Sequence, residues 1–514
     1  MSGLRRTPII VAAALAAAGA VALVSSTTFD DAPDVKSPAA VVPVNESARD
    51  QGDISANNSP TLAQNPERRA NLVVVNRVDT PAYTCGFHVS HDGGSQWSSR
   101  SIPIPRGEQP KCFAPDAAFA ADGTLYISYV TLAGRTNAPN ALWLTRSTDG
   151  GRTLSAPRRV SGPLSFQVRI TTDPRRPERL YLTWLQPEDI GLALFTGSDN
   201  QIVVARSDDG GRSFRPRVRA SDQSRRRVLA PSPAVGLDGE LYVLYLDVQD
   251  DRLDYEGGHG SRGGAPYQGH FSLVLGRSTD AGATWQESLV DDTIVPTRRF
   301  IAFLPPTPSL AVDPRSGRIF VAFEDGREPP SDVRLWSLEP GAEEWDGPSR
   351  VNDTPSKDGS TQYLPKLAVA PDGRLDIAYY DRRDDPRDRL NDVSLQSSAD
   401  NGETFTSRVR LTDESFDSRV GTGSDVGLPD IGSRLGMVSQ SSAASVVWTD
   451  TRAGTEASNK QDIAFAQAPV ESSEPSSARD TLRWGGIALL LVAAGLLAVQ
   501  ARRRPASAPA GPTA

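Results

Sequence analysis

The sequence predicts an all-β fold, a seven-bladed β-propeller of four-stranded antiparallel blades, on three observations. A short, strongly apolar strand recurs seven times: L-V-V-V-N from Leu72, L-Y-I-S-Y from Leu125, L-Y-L-T-W from Leu180, L-Y-V-L-Y from Leu241, I-F-V-A-F from Ile319, L-D-I-A-Y-Y from Leu375 and V-V-W-T-D from Val446. These markers lie 53, 55, 61, 78, 56 and 71 residues apart, and strands at such regular spacing indicate radial repetition of small sheets. A Ser-x-Asp-x-Gly turn recurs between them, and 43 Gly and 40 Pro in 514 residues point to many turns rather than long helices.

Taken along the chain, residues 1–26 carry two Arg followed by an apolar run from Pro8 to Val24, the pattern of a signal peptide or N-terminal anchor. A linker over 27–39 leads to the propeller, 40–468. Each unit supplies four strands, with the marker second. The seventh unit has a first strand near 428–435, its marker and a third strand over 462–468, but no fourth. Residues 40–47, A-V-V-P-V-N-E-S, resemble the fourth strands P-S-R-V-N-D-T and R-V-R-L-T-D-E-S of other units. An N-terminal strand closing the last blade removes the edges that a ring of sheets would otherwise leave open. A second linker spans 469–483. Residues 484–500 are uncharged and just long enough for a transmembrane helix, and Arg502, Arg503 and Arg504 in the tail 501–514 set its cytoplasmic end. The expected location is therefore a single-pass protein of a bacterial cell membrane, its propeller extracellular and its ectodomain monomeric.

The turn sequences are S-H-D-G-G-S-Q-W, S-T-D-G-G-R-T-L, S-D-D-G-G-R-S-F, S-T-D-A-G-A-T-W and S-A-D-N-G-E-T-F, around Asp92, Asp149, Asp209, Asp280 and Asp400; residues 337–345, S-L-E-P-G-A-E-E-W, form a decayed sixth copy. They resemble the Asp-box, or BNR repeat, of the sialidase-like propellers, and the resemblance covers 40–468. In such a turn the Asp accepts backbone N–H bonds, the Gly takes a φ closed to other residues, and the final aromatic packs between blades. The resemblance implies that these turns lie between third and fourth strands, opposite the usual binding face, and that they serve the fold rather than chemistry.

Candidate functional residues lie on the loops joining second to third strands. Three begin alike, E-D-G-R, Y-D-R-R and T-D-T-R, placing Asp325, Asp381 and Asp450 two residues before Arg327, Arg383 and Arg452. Two readings stand: guanidinium groups that clamp a carboxylate ligand, or Asp–Arg pairs that lock neighbouring blades. The fourth unit carries the longest insertion, 246–270, whose Tyr255, His259 and His270 form a candidate ligand-reading arm. Its spacing fits no metal motif, and neither metal nor cofactor is expected. Cys85 and Cys112 are the only cysteines, and an exported chain is expected to pair them as a disulfide. The net charge of −8 argues against a nucleic-acid partner.

Similarity to sialidases implies an exo-acting glycosidase with three Arg on the sugar carboxylate, a Tyr–Glu nucleophile pair and an Asp acid/base. On this sequence Tyr380, Glu324, Asp325, Asp381 and Asp450 fill the catalytic positions and Arg327, Arg383 and Arg452 the ligand positions. The chain departs from the family pattern: its first units contain no Arg-Ile-Pro motif, and it has seven units where those enzymes have six. The expected function is an extracellular, membrane-tethered propeller that binds a glycan, peptide or envelope protein on its loop face, with a sialidase-like glycoside hydrolase as the alternative.

Overall fold

The computed structural model describes residues 15–18, 33–45, 54–188, 199–251, 267–297, 306–421, 431–455 and 457–471, and the backbone of a helix at Ser477–Arg502 with side chains over 487–499. The expected segment 1–26 lies outside the described residues except for a helical turn at 15–18.

Seven antiparallel sheets follow one another in chain order, each with its first strand at one edge and its last at the other. The seven marker strands are the second strands of the seven sheets: Leu72–Val78, Leu125–Ala133, Arg176–Gln186, Leu241–Asp247, Ile319–Asp325, Leu375–Asp381 and Ala443–Asp450. They read as near-continuous apolar runs because each is covered on both faces by neighbouring blades. Leu241–Asp247 and Leu375–Asp381, for instance, are buried at every residue. Most fourth strands are short, Gln286–Ile294 being the exception, and Ser98–Arg100 is exposed throughout.

The ring closes with the N-terminal segment. Val41–Pro43 pairs with Asp462–Glu471 in the register Val41↔Ala466, Val42↔Phe465 and Pro43↔Ala464, and Asp34–Val35 pairs with the same strand further out. Asn45 fixes the junction: its Nδ2 donates to Asp462 Oδ1 at 2.7 Å and its Oδ1 accepts from Ile463 N at 2.8 Å. The propeller therefore reaches a little beyond 40–468, and the compact unit is Val35–Glu471. The first strand of blade seven lies at Gly436–Gln440; residues 431–435 of the expected 428–435 are not in a strand, and 428–430 lie outside the described residues. Its register follows from a two-residue turn, Ser441-Ser442, which pairs Gln440 with Ala443; residues 422–430 lie outside the described part of the chain.

The first strands share an irregularity. Ser59, Ala114, Gln167, Ala230 and Leu364 have φ between 51° and 57° or at 48°, and each sits where the register to the second strand shifts. These are β-bulges, which bend a strand and re-aim the side chains that follow.

Cys85 and Cys112 form the expected disulfide, with Cα atoms 5.4 Å apart. Cys112 does not lie in the crossing between units but opens the first strand of blade two, Cys112–Phe119, so the bond ties the third strand of blade one, Thr84–Ser90, to its neighbour. The C-terminal helix covers 484–500, and among the described residues no helix is long and apolar enough to cross a membrane.

Candidate functional site

The recurrent turns join third to fourth strands, and five of the six copies share one hydrogen-bond pattern. At Ser278 the hydroxyl donates to Asp280 Oδ1 at 2.8 Å and accepts from Gly282 N at 2.8 Å, while Asp280 also accepts from Thr284 N at 2.8 Å and Thr284 Oγ1 at 2.6 Å. The Thr284 hydroxyl and N–H hold Asp280 at about 2, below the ordinary value of 3.8. Asp149, Asp209 and Asp400 are bonded in the same way, and Asp92 likewise except that Gln96, in the Thr284 position, supplies only its N–H. The second glycine of four copies meets the preceding blade: a Cβ at Gly94 would lie 2.3 Å from Phe465, at Gly151 3.0 Å from Val89, at Gly211 2.4 Å from Leu144 and at Gly402 2.3 Å from Leu335. The turn thus closes the seam between blades, and Trp97 adds an edge-on contact with Phe465, ring centroids 5.5 Å apart.

The sixth copy has lost the pattern. Ser337 Oγ accepts from Arg318 at 3.0 Å, and Glu339 is bound by the same guanidinium. A cavity of about 550 Å³ opens there between blades four and five, bordered by Glu240, Tyr242, Arg277 and Glu287 on one side and Glu339 and Gly341 on the other.

The three Asp–Arg loops begin where the second strands of blades five, six and seven end. In each, the Asp is nearly inaccessible and the Arg N–H two residues on donates to its Oδ1, at 2.9 Å for Asp325, 3.1 Å for Asp381 and 2.9 Å for Asp450. The guanidinium then folds back onto the same carboxylate: Arg327 Nε lies 2.5 Å from Asp325, Arg383 Nε 2.6 Å from Asp381 and Arg452 NH2 2.8 Å from Asp450. Each Arg also holds a second acid from the tail of the preceding unit. Arg327 NH2 lies 2.9 Å from Asp291, Arg383 pairs with Asp353, and Arg452 pairs with Asp413. Three seams are therefore bridged by an acid–Arg–acid relay, the geometry of the blade-locking reading. Asp325 sits above the usual carboxylate range because its burial outweighs the adjoining Arg327 and N–H donors. In Asp353 the balance tips the other way: burial raises it, but Arg383 and the Arg408 N–H hold it below its ordinary value.

The remaining candidates lie between blades as well. Glu324 is buried and accepts from Leu364 N of blade six and from Thr297 Oγ1, both at 2.7 Å. Tyr380 is fully buried, stacks on Tyr363 at 5.3 Å, and its hydroxyl accepts from Thr449 N of blade seven at 3.1 Å. Burial holds this phenol well above its ordinary value. His270 is exposed at the end of the blade-four insertion, whereas Tyr255 and His259 lie outside the described residues. Among the described residues no cluster of metal-ligating side chains occurs.

Fold and site together define a seven-bladed propeller whose seams are closed by serine–aspartate turns on one face and acid–arginine relays on the other. No family model matches the chain, and no curated protein matches it. Among solved structures, a protein of unknown function from Dyadobacter fermentans is 11% identical, with 84% of this chain and 99% of that one aligned at a TM-score of 0.47. A Hadza microbial sialidase is 14% identical over 79% and 75% of the two chains at a TM-score of 0.42, and an ulvan lyase 13% identical over 82% and 97% at 0.46. At these TM-scores none of the three bears on what the chain does.

Proposed function

We propose that the protein is an extracellular, membrane-tethered propeller that binds a carbohydrate or envelope-protein ligand on its loop face, and that its serine–aspartate turns are Asp-boxes. The carrying observation is the asymmetry of the two faces. First and second strands are joined by tight turns, such as the two residues between Gln440 and Ala443. On the other face the strands end and begin again only after long intervals of chain, from Gln186 to Gln201, from Asp247 to Phe271 and from Ile294 to Ser309, much of which lies outside the described residues. Long loops on a rigid scaffold are where recognition resides. Binding without turnover is favoured because the acids nominated for glycoside hydrolysis are engaged in seams between blades, where a hydrolase needs two carboxyl groups facing a substrate. The tether rests on the sequence alone, the uncharged stretch 484–500 with Arg502, Arg503 and Arg504 marking the cytoplasmic side.

The test is to apply the purified full chain to an immobilised glycan panel and, in parallel, to a sialoside and aryl glycosides, with Asp381→Asn beside it. The expected result is binding without turnover, and a loss of about 3 kcal/mol of stability in the variant from one broken buried pair. Turnover by the wild type that a folded Asp381→Asn protein lacks would overturn this reading in favour of a sialidase-like hydrolase.

A further inference from the structure

We propose that the central channel contains an oxyanion-binding site formed by Arg169, Lys366 and Arg434, suited to a carboxylate, sulfate or phosphate group. The site is separate from the loop-face ligand and stands without it.

The first strands line the channel, and their bulges aim the residue two positions after the left-handed one. In blades one, two, three, four and six these residues are Thr61, Asp116, Arg169, Ser232 and Lys366, and in blade seven Arg434 stands two residues after Gly432, whose φ is 94°. Three of the six are cations and one is an acid, in a chain whose net charge is −8 and which contains only five lysines. The channel is narrow. Arg169 NH2 donates to Thr307 Oγ1 at 2.9 Å, reaching past blade four, and Arg434 NH2 donates to Pro115 O at 2.6 Å, reaching past blade one. Thr307 N likewise bonds Ser433 O at 3.2 Å across blade six.

The acid offsets the cations only in part, acting on each of them through space. Asp116 accepts from Thr61 Oγ1 at 2.6 Å and from Ile170 N at 3.0 Å, and among the described residues no carboxylate lies within 4.0 Å of Arg169, Lys366 or Arg434. Arg434 Nε is bound to Thr61 at 3.1 Å, which leaves donors on both guanidinium groups free, and the Lys366 ammonium has no hydrogen-bond partner among the described residues. Burial together with the neighbouring Arg169 and Arg434 draws Lys366 down to about 8, against only the pull of Asp116. Burial likewise lowers Arg169 and Arg434. By contrast, the buried Arg77, Arg334 and Arg374 each have an acid of their own, Asp79 at 2.6 Å, Asp332 at 3.0 Å and Asp376 at 2.8 Å. One buried cation, Arg169, and two half-buried ones, Lys366 and Arg434, with unused donors are what an oxyanion requires: guanidinium forks match its oxygens, and its charge relieves the mutual repulsion.

The experiment measures thermal unfolding of the full chain at constant ionic strength, with chloride exchanged for inorganic phosphate, sulfate, acetate or glucuronate, for the wild type and Lys366→Gln. The wild type is expected to gain several degrees with at least one oxyanion; a response to phosphate or sulfate alone identifies a free inorganic ion, and a response to acetate or glucuronate a carboxylate ligand. Lys366→Gln should bind that anion roughly tenfold or more weakly, through loss of a charge-assisted bond, while being at least as stable as the wild type in chloride, because an unpaired charge has been removed. Affinity should also fall as pH rises past about 8, where Lys366 loses its proton. No shift with any of the four anions, or equal affinity in wild type and Lys366→Gln, overturns the proposal.

Discussion

Gly94 and Gly93 are neighbours in the first serine–aspartate turn, and they separate two causes of rigidity that are usually confounded. Both have positive φ, 95° and 76°. A Cβ on Gly93 meets nothing within 4 Å, whereas one on Gly94 would stand 2.3 Å from Phe465 Cε1 and 2.4 Å from its Cζ, inside contact distance. Phe465 cannot swing away freely: it is 3% exposed, Trp97 lies edge-on to it, and Val42 of the closing strand pairs beside it. Gly93→Ala should therefore cost about 1 kcal/mol, the strain of a left-handed residue bearing a Cβ. Gly94→Ala should carry the same strain plus about 1–3 kcal/mol of overpacking, in total about 2–4 kcal/mol. Urea unfolding followed by tryptophan fluorescence, with the two variants side by side, measures the difference. Equal losses in the two would refute the argument, because they would show that the turn matters only for its own backbone and not as a closure between blade one and blade seven.

Reduction of Cys85–Cys112, or its replacement by serines, should cost about 3 kcal/mol, since the bond closes a loop with a sequence separation of 27 in the unfolded chain; urea midpoints with and without reductant measure it. Acid should loosen the turns in a defined window. Asp280 titrates near 2 when folded and near 3.8 when unfolded, so its contribution is complete above about pH 4 and is lost as pH falls towards 2. Asp280→Asn should flatten the decline in unfolding midpoint over that interval, and a variant that tracks the wild type throughout would contradict the hydrogen bonds assigned to its carboxylate.

Repetition made most of the ring legible. Each second strand is buried on both faces, so its apolar run announces itself, and each turn must satisfy the same donors with the same short Ser-x-Asp-x-Gly stretch. The closing strand was legible because Val41 and Val42 face the environment of any fourth strand. The relays were only half legible. Each Arg and its first Asp are two residues apart, but the second acids stand 36, 30 and 39 residues before Arg327, Arg383 and Arg452, on tails whose lengths differ from unit to unit. The start of blade seven was displaced because its register is set by the turn at 441–442 and not by the apolar Leu428 and Leu435. The channel cations went unseen for a related reason: Arg169 and Lys366 follow bulges in their strands, and Arg434 follows a left-handed Gly432 ahead of its own. The signal was present in S-P-T, A-P-D, A-P-S and L-P-K of the first strands, where proline follows the left-handed residue.

The strand that closes the ring is the first part of the propeller to be synthesised and the last to find its place. Val41 waits for Ala466, so about 420 residues must be made before the two can meet, and loop closure over that length is slow in any chain. Until then blade seven has an open edge able to accept a strand from another molecule. Truncation near the C-terminus therefore leaves the N-terminal strand unpaired and the ring unfinished, and completion of the chain serves as the checkpoint for completion of the fold.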